Sequence, residues 1–341
     1  MEKIKAAIIG LGRIASLLEE DSRREKPCTH AGAIAASRNC LLAGGCDSDE
    51  ERRRLFAERW GVSVYSGAAE MLRAQSPQIL VIATHPDSHY EYCRFAADSG
   101  VPLVICEKPL ADTLSAARKI AALASEGHGE KSRGPIIITN HERRYSADYV
   151  KAKEILASGK LGALLSVRAV LCMGKNKRLL DVLWHDGTHL ADALMFLTGL
   201  RLKHKNRRGA KLSAAAGTAR LEGELVPSGV PGAPVPVQME IGAGRDHLIF
   251  EMEFSCAAGR LRIGNGLFEI WESAESPYAE KFRSLKKTED HFEGPTGYFA
   301  NMIADAVFCV SETGRRPVSS AADGLRVIEY LNSVKAWNYY F

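Results

Sequence analysis

Short apolar runs alternate with longer amphipathic stretches over the first 140 residues. Continuous apolar runs bounded by turn residues are typical of strands buried on both faces of a parallel sheet. Such runs occupy residues 4–9, 41–46, 79–83, 103–106 and 136–139, and a shorter, weaker one occupies 62–65. Residues 50–60, 88–98 and 115–125 have the length of helices between strands. The pattern therefore predicts βαβ units around a parallel sheet.

The pattern changes after a predicted helix at residues 147–158. Apolar runs separated by short turns then predict strands at residues 164–172, 238–243, 248–255, 260–263 and 267–272. Short connections favour antiparallel pairing. A proline- and glycine-rich loop is expected at residues 227–236, and two helices at 298–311 and 321–335. We thus predict an α/β domain over residues 1–140 and an α+β domain with a largely antiparallel, open-faced sheet over residues 141–341.

The amino-acid composition argues against some classes of function. The 341 residues are 46% hydrophobic and 25% charged, as in an ordinary globular protein of two domains. The formal net charge of +4 comes from interspersed signs, which argues against a nucleic-acid partner. The one basic cluster, residues 201–208, is interpreted as a solvated loop.

The cysteines and the apolar runs predict the compartment. Eight cysteines without a C-x-x-C pair suggest buried, reduced thiols in a cytosolic protein. No charged leader precedes the first strand, and no apolar run approaches the roughly 20 residues of a membrane helix. We expect a cytoplasmic protein with no membrane partner.

The glycine-rich turn after the first strand indicates a dinucleotide site. It reads Gly10-Leu11-Gly12-Arg13-Ile14-Ala15 and lies between a predicted strand and a predicted helix. In this context the first glycine allows a tight turn, the second admits a pyrophosphate, and a small third residue lets the helix pack closely. The positive end of the helix then faces the phosphates. Gly10, Gly12, Arg13 and Ile14 are accordingly predicted to bind the cofactor.

The acidic residue after the second strand favours NAD. A carboxylate at Asp47 can accept bonds from the adenosine ribose and repels a 2′-phosphate. Its alternative role is to cap the next helix, and Arg52 and Arg53 keep NADP possible. The separation between the glycines and Asp47 exceeds the usual separation of about 20 residues. The difference is due to a charged insertion at residues 16–29. That insertion is either a loop over one edge of the cleft or an inert surface excursion.

Two further strand ends carry polar residues. Thr84 and His85 follow the strand at 79–83, where the nicotinamide half of a cofactor would pass, although a local helix cap also explains polar residues there. Glu107 and Lys108 follow the strand at 103–106. Because ligands gather at the carboxyl ends of parallel strands, a lysine here can meet the reactive end of a dinucleotide. The combination predicts hydride chemistry.

The second candidate cluster is Trp184-His185-Asp186-Gly187-Thr188-His189, entering an apolar helix at residues 190–197. Residues four apart share a helix face, so His185 and His189 are expected to converge. Alcohol oxidation needs a base near the hydroxyl, and histidine suits that role. Lys108 can hydrogen-bond the developing alkoxide. The alternative is that both histidines only cap or pack the helix.

Taken together, these motifs resemble the Gfo/Idh/MocA oxidoreductases, which include glucose–fructose oxidoreductase and inositol dehydrogenase. The resemblance covers nearly the whole chain, and its most specific element is Glu107-Lys108-Pro109. It implies a Rossmann domain, a catalytic Lys108, and a proton-exchanging His189. It also implies that Thr84, His85, His89 and Glu107 line the cofactor site and that Glu142 and Arg143 line the sugar pocket.

Two positions depart from that family pattern. Many relatives carry aspartate where this chain has His185, so adjacent Asp186 is the candidate replacement near the substrate. Relatives also often have proline at the position of His85. We therefore retain two alternatives to an NAD(P)-dependent sugar or cyclitol dehydrogenase. One is a non-catalytic dinucleotide-binding regulator, and the other is a metal-dependent hydrolase using His185 and His189, although no third ligand is evident and no metal is expected. A homodimer or homotetramer through the open C-terminal sheet is also expected.

Overall fold

The structure is a computed structural model that describes residues 3–124, 134–204, 211–213, 217–227 and 232–335. The described residues of Met1–Ser146 and Pro295–Ile328 form one compact unit, and those of Ala147–Gly294 and Glu329–Phe341 form a second. The first unit thus extends past residue 140 and includes a later part of the chain. Parts of three predicted features, the helix at 115–125, the basic cluster at 201–208 and the loop at 227–236, lie outside the described residues.

The first unit is built on a parallel sheet. Its strands follow the order β3-β2-β1-β4-β5-β6, and all the pairings are parallel. The strands are β1 (Ile4–Ile9), β2 (Cys40–Cys46), β3 (Ser63–Tyr65), β4 (Ile79–Ile82), β5 (Leu103–Cys106) and β6 (Ile136–Thr139). Every residue of β4, β5 and β6 is buried, which explains their uninterrupted apolar sequences. The predicted α/β sheet is confirmed, with strand ends shifted by at most one residue.

Helices connect these strands. They are α1 (His30–Ala36), α2 (Glu50–Trp60), α3 (Ala68–Gln75), α4 (His89–Asp98) and α5 (Leu114–Leu123), with short 3-10 helices at Leu17–Glu20, Pro86–Ser88 and Glu142–Tyr145. The sequence pattern predicted α2, α4 and α5 but missed α3. A later helix, α9 (Tyr298–Ser311), also belongs to this unit. Its Phe299, Met302 and Ile303 share one buried core with the strands of the sheet.

The helix after the glycine turn is split by the insertion at residues 16–29. The amide of Ser16 donates to the carbonyl of Gly12, which closes one turn. The carbonyls of Ile14 and Ala15 then accept from the amides of His30 and Ala31 at 3.2 and 2.9 Å. In a continuous helix, these carbonyls would accept from the amides four residues later in the sequence. Here the amides of His30 and Ala31 occupy those positions instead. The prediction that the motif opens a helix is therefore corrected in one respect: α1 continues the first turn only after a 14-residue excursion.

The second unit contains a mixed sheet in its described part. Its strands run in the order β15-β14-β13-β12-β7-β11-β10-β8, with β9 also paired to β10. They are β7 (Leu164–Gly174), β8 (Arg201–His204), β9 (Lys211–Ser213), β10 (Thr218–Val226), β11 (Val235–Arg245), β12 (Ile249–Cys256), β13 (Gly259–Gly264), β14 (Leu267–Glu275) and β15 (Arg283–Glu289). The pairings are antiparallel except between β7 and β11, which run parallel. The largely antiparallel sheet is confirmed.

Several strands of this sheet were missed in the sequence. The start of the basic cluster is β8 and not a loop, and β10 and β15 were not predicted. The helices of this unit are α6 (Ala147–Ala157), α7 (Leu179–Asp181) and α8 (Gly187–Thr198), with a π-helical turn at Val182–Asp186. The last helix, α10 (Ala321–Lys335), belongs to the first unit up to Ile328 and to the second from Glu329. The predicted helices at 298–311 and 321–335 are confirmed at both ends.

Burial alternates along the strands of the second sheet. In β12, Phe250, Met252 and Phe254 are buried, while Glu251 and Glu253 between them are partly exposed. On the exposed side Arg262 forms ion pairs with Glu251, Glu253 and Glu269. The open face of this sheet is therefore covered by charged side chains.

The cysteines and the helices can be compared with the predictions of reduced thiols and of no membrane helix. The eight cysteines are buried free thiols. No helix in the described part of the chain is both long and apolar enough to cross a membrane.

Candidate functional site

The glycine turn has the shape that a dinucleotide requires. Gly10 has φ of +87°, and a Cβ there would lie 2.7 Å from the carbonyl oxygen of Ala83, so only glycine fits. By contrast, a Cβ at Gly12 would meet nothing nearer than an Arg52 nitrogen at 4.0 Å. Gly12 thus borders open space at the start of a helical turn, whose leading amides have no intrahelical acceptor. These residues fit the pyrophosphate of a dinucleotide.

Asp47 directly follows β2 and contacts the glycine turn. Its Oδ2 accepts from the amide of Leu11 at 2.8 Å, and its Oδ1 accepts from the amide of Asp49 at 2.9 Å. The Arg52 guanidinium lies 3.6 Å from Oδ2 and is half-exposed. Arg53 instead donates to the carbonyls of Asp47 and Ser48. Asp47 therefore fixes the turn while its carboxylate stays at the edge where a ribose would bind. The cap of α2 comes from Asp49, so the alternative role of Asp47 as that cap is not observed.

The segment after β4 places the Thr84 hydroxyl against the Ser88 side chain and the His89 ring against backbone carbonyls. Thr84 Oγ1 lies 2.7 Å from Ser88 Oγ, and His85 precedes a 3-10 turn. His89 is buried, with Nδ1 3.1 Å from the carbonyl of Pro109 and Nε2 3.2 Å from that of Thr84. Burial lowers the pKa of His89. The His89 ring thus joins the end of β4 to the segment that follows Lys108.

Glu107 and Lys108 lie where β5 ends. Glu107 is buried, and its Oε1 is 2.7 Å from His30 Nε2 and 2.5 Å from Asn140 Nδ2. Its Oε2 accepts from the amide of Lys108 at 3.2 Å. Lys108 is half-buried at the same edge of the sheet as the glycine turn. Sequence analysis did not identify His30 as a partner of Glu107, because the two residues are 77 positions apart.

Glu142 and Arg143 lie in the 3-10 helix after β6. They form an ion pair of 3.3 Å and are partly exposed. Their neighbour Arg144 is buried, donates to the carbonyl of Val318 and pairs with Asp323 at 3.2 Å. Arg144 thus serves the core of this unit, whereas Glu142 and Arg143 remain accessible to a ligand.

His185, Asp186 and His189 belong to the second unit. His185 lies in the π-helical turn and is more than half exposed, whereas His189 is half-buried in α8. The expected α-helical spacing of four is therefore interrupted between the two histidines. Asp186 lies 3.2 Å from His185 Nδ1 and 2.7 Å from Lys177 Nζ. Burial acts to raise the pKa of Asp186, but these two neighbours outweigh it and lower the pKa below its ordinary value.

A search for metal ligands covers the alternative of a hydrolase. Within the part of the chain that the structure describes, no group of three or more His, Cys, Asp or Glu side chains could hold a metal ion. The pair His185 and His189 is thus not joined there by a third ligand of these types.

Comparison with known proteins identifies relatives. Residues 4–130 match the model of the Gfo/Idh/MocA oxidoreductase family, described as having an NAD-binding Rossmann fold. Inositol 2-dehydrogenase of Rubrobacter xylanophilus is 30% identical over 162 residues, which are 48% of this chain and 42% of that protein. D-glucoside 3-dehydrogenase of Escherichia coli is 26% identical over 212 residues, covering 58% of this chain and 54% of that protein. The alignments thus span about half of each relative.

A solved structure shares the fold over the whole chain. The crystal structure of an oxidoreductase domain protein from Kribbella flavida superimposes with a TM-score of 0.77 at 20% identity. The match covers 99% of this chain and 98% of that one. The similarity establishes the fold of both units.

Proposed function

We propose that this chain, whose residues 4–130 match the model of the Gfo/Idh/MocA oxidoreductase family, is an NAD(P)-dependent dehydrogenase acting on a ring hydroxyl of a sugar, sugar derivative or cyclitol. The observation that carries the proposal is the joint presence of the glycine turn, Asp47 and Lys108 at one edge of the parallel sheet. Ligands of open α/β sheets bind at that edge. The similarity to an inositol and a glucoside dehydrogenase supports the substrate class.

NAD is the favoured cofactor. The Asp47 carboxylate lies at the end of β2, where it can accept bonds from a ribose and repel a 2′-phosphate. The Arg52 guanidinium at 3.6 Å reduces that repulsion, so NADP is the weaker alternative. Gly10, Gly12, Arg13 and Ile14 would hold the pyrophosphate. The nicotinamide end would be supported by Thr84, His85, His89 and Glu107. Of these, His89 and Glu107 would act through their buried hydrogen bonds to neighbouring residues.

The catalytic proposal gives Lys108 and His189 separate roles on one alcohol. The nicotinamide supplies the hydride acceptor when the dinucleotide is bound. His189 takes the hydroxyl proton as the C–H bond breaks. The Lys108 ammonium donates a hydrogen bond to the developing alkoxide, which lowers its proton affinity. The reaction is reversible, with the same groups acting in the opposite sense.

His185 and the polar residues near it are proposed to contact the substrate. His185 is exposed, and its Nδ1 lies 3.2 Å from the Asp186 carboxylate; we propose that its ring orients a substrate hydroxyl or relays a proton. Asp186, Glu142 and Arg143 supply the hydrogen-bonding groups that a polyol requires. Such groups discriminate strongly between hydroxylated ligands, because an unmatched buried polar group is costly.

Substitution of Lys108 tests the function. We expect Lys108→Ala to reduce turnover by at least about 100-fold, in line with loss of an oxyanion donor, and to leave the Kd for NAD within a few-fold. The assay is nicotinamide absorbance with myo-inositol, methyl glucosides and UDP-N-acetylglucosamine as candidate substrates. Lys119→Ala, on the outer helix α5, is the matched control. Wild-type turnover in Lys108→Ala removes this lysine from the mechanism.

The same assay separates the alternatives. Tight NAD binding by the wild-type protein without turnover on any polyol would favour a non-catalytic dinucleotide-binding regulator. Stoichiometric zinc in the purified protein, together with hydrolytic activity lost to a chelator, would favour the metal-dependent hydrolase.

We also propose a homodimer or homotetramer in the cytoplasm, formed through the open face of the second sheet. That face carries Trp271, whose ring lies 4.8 Å from the Arg260 guanidinium and 5.0 Å from Lys287 Nζ. Trp and Arg are common in the centres of protein interfaces. Light scattering of the wild type and of Trp271→Glu tests this, and a wild-type monomer contradicts it.

A further inference from the structure

The carboxylate of Glu107 is held in a buried hydrogen-bonded cluster. One oxygen contacts His30 Nε2 at 2.7 Å and Asn140 Nδ2 at 2.5 Å, and the other accepts from the amide of Lys108. The side chain of His30 has no exposed surface and that of Glu107 is 8% exposed. A buried charge is expensive unless it is paired and hydrogen-bonded. Two side chains from distant parts of the sequence, His30 and Asn140, and the adjacent amide of Lys108 thus stabilise one carboxylate inside the first unit.

The second nitrogen of His30 indicates the form of the ring. Nδ1 is buried and has no hydrogen-bond partner, and the ring packs edge-on against Phe299 with centroids 5.1 Å apart. A proton on Nδ1 would be buried without an acceptor. The hydrogen-bond network thus assigns the neutral tautomer with the proton on Nε2, donating to Glu107. In this form the His30–Glu107 pair keeps a full negative charge next to Lys108.

The charges around Glu107 act together. Burial acts to raise the pKa of Glu107, but the hydrogen bonds from His30 and Asn140 and the charge of Lys108 outweigh it and lower the pKa. His89 from α4 and the thiol of Cys106 also interact electrostatically with Glu107. Of these neighbours, Lys108 is the cation that the proposed reaction uses.

The insertion at residues 16–29 sets the position of His30. Glu19 accepts from the Thr29 hydroxyl at 2.6 Å and from the amide of Cys28. Thr29 in turn caps α1 by accepting from the amide of Gly32. Farther along the insertion, Glu25 accepts from the amides of Thr296 and Gly297, just before α9. The excursion is thus anchored, and it delivers His30 to Glu107 at the first residue of α1.

We propose that His30 and Glu107 are positioning residues that hold the Lys108 side chain protonated and oriented toward the substrate alkoxide. The inference rests on the proposed function, since it assigns these residues to the same reaction. Glu107 contributes the negative charge and fixes the backbone of Lys108. His30 keeps that carboxylate ionised without neutralising it. Neither residue needs to touch substrate.

The test measures the protonation of Lys108 directly. The extent of reductive methylation of Lys108 is quantified by mass spectrometry across a pH series. This gives the titration midpoint of the Lys108 side chain and does not depend on enzymatic activity. We expect Glu107→Gln to move that midpoint to lower pH by about 1 to 2 units, the usual effect of losing a nearby opposite charge. Glu91→Gln, which removes an exposed carboxylate from α4, is the matched control and should leave the midpoint unchanged.

A second pair of variants covers the case that Glu107→Gln does not fold. His30→Gln retains a donor near the position of Nε2, whereas His30→Leu removes it. We expect kcat to fall at least about tenfold in His30→Leu and to recover largely in His30→Gln, with KM little changed in both. Equal Lys108 midpoints in the wild type and in every folded variant overturn the inference. If Lys108→Ala still abolishes turnover in that case, the proposed function stands without it.

Discussion

Adding a single methyl group to Gly10 tests whether the glycine turn is built as described. Two effects combine at this position. The φ of +87° disfavours any L side chain by about 1–2 kcal/mol. The new Cβ would also lie 2.7 Å from the oxygen and 2.8 Å from the carbon of the Ala83 carbonyl, and 3.0 Å from the amide nitrogen of Thr84. These are backbone atoms, so no side-chain rotation relieves the contact, and overpacking of this kind costs about 1–3 kcal/mol.

We therefore expect Gly10→Ala to lower the free energy of unfolding of the first unit by about 2–5 kcal/mol, the sum of the two effects. Substitutions at two other glycines distinguish the conformational cost from the cost of the steric contact. Gly61 ends α2 with φ of +63° and has no atom within 4 Å of its Cβ position, so Gly61→Ala should show only the conformational cost, about 1–2 kcal/mol. Gly12→Ala has neither effect on stability, but it places a methyl group where the pyrophosphate is proposed to bind.

Urea unfolding followed by far-UV circular dichroism measures the stabilities, and calorimetric titration with NAD measures binding. The predicted order of stability is wild type and Gly12→Ala, then Gly61→Ala, then Gly10→Ala. NAD binding should weaken in Gly12→Ala and stay near wild type in Gly61→Ala. The reasoning is refuted if Gly10→Ala is no less stable than Gly61→Ala, because the contact with Ala83 would then have no energetic consequence.

Two further predictions concern carboxylates of the first unit. Asp47→Asn keeps the acceptor for the Leu11 amide but removes the negative charge, so the preference for NAD over NADP in kcat/KM should fall by at least about tenfold. Asp49→Asn is the control. If the preference is unchanged in Asp47→Asn, then Asp47 is not its source. Burial acts to raise the pKa of Asp323, but the Arg144 charge and the Ser320 hydrogen bonds outweigh it and lower the pKa below the usual 3.8. The resulting stability is present above pH 3.8 and is lost as pH falls through the lower folded pKa. Asp323→Asn should therefore destabilise the protein at pH 7 and flatten the acid part of the curve of unfolding free energy against pH; an unaltered acid slope contradicts this.

Much of the first unit follows from local sequence because its strands are buried on both faces. Apolar runs such as Ile79–Ile82 are stable where both faces of the strand are buried, as they are in this sheet. The glycine turn was equally visible, because Gly10 meets a steric demand that no other residue satisfies. The split helix was not predicted, since nothing local shows that His30 and Ala31 complete the turn begun at Gly12.

The second unit was harder to predict because polar side chains cover its open face. β10 carries Arg220, Glu222 and Glu224 between its buried positions, so it has alternation but no apolar run. β15 is an edge strand with mostly exposed residues and no apolar pattern. The buried cluster at Glu107 depends on contacts between residues far apart in sequence, as in the pair with His30. Its detection required the three-dimensional structure.

The measurement that bears most directly on the central claim is a crystal structure of the protein with NAD and the best polyol from the substrate screen. We predict that Lys108 Nζ and His189 Nε2 both lie within about 3.2 Å of one hydroxyl oxygen, the reach of a catalytic hydrogen bond. The carbon bearing that hydroxyl should face the nicotinamide ring. A complex in which no single hydroxyl reaches both nitrogens would contradict the proposed mechanism.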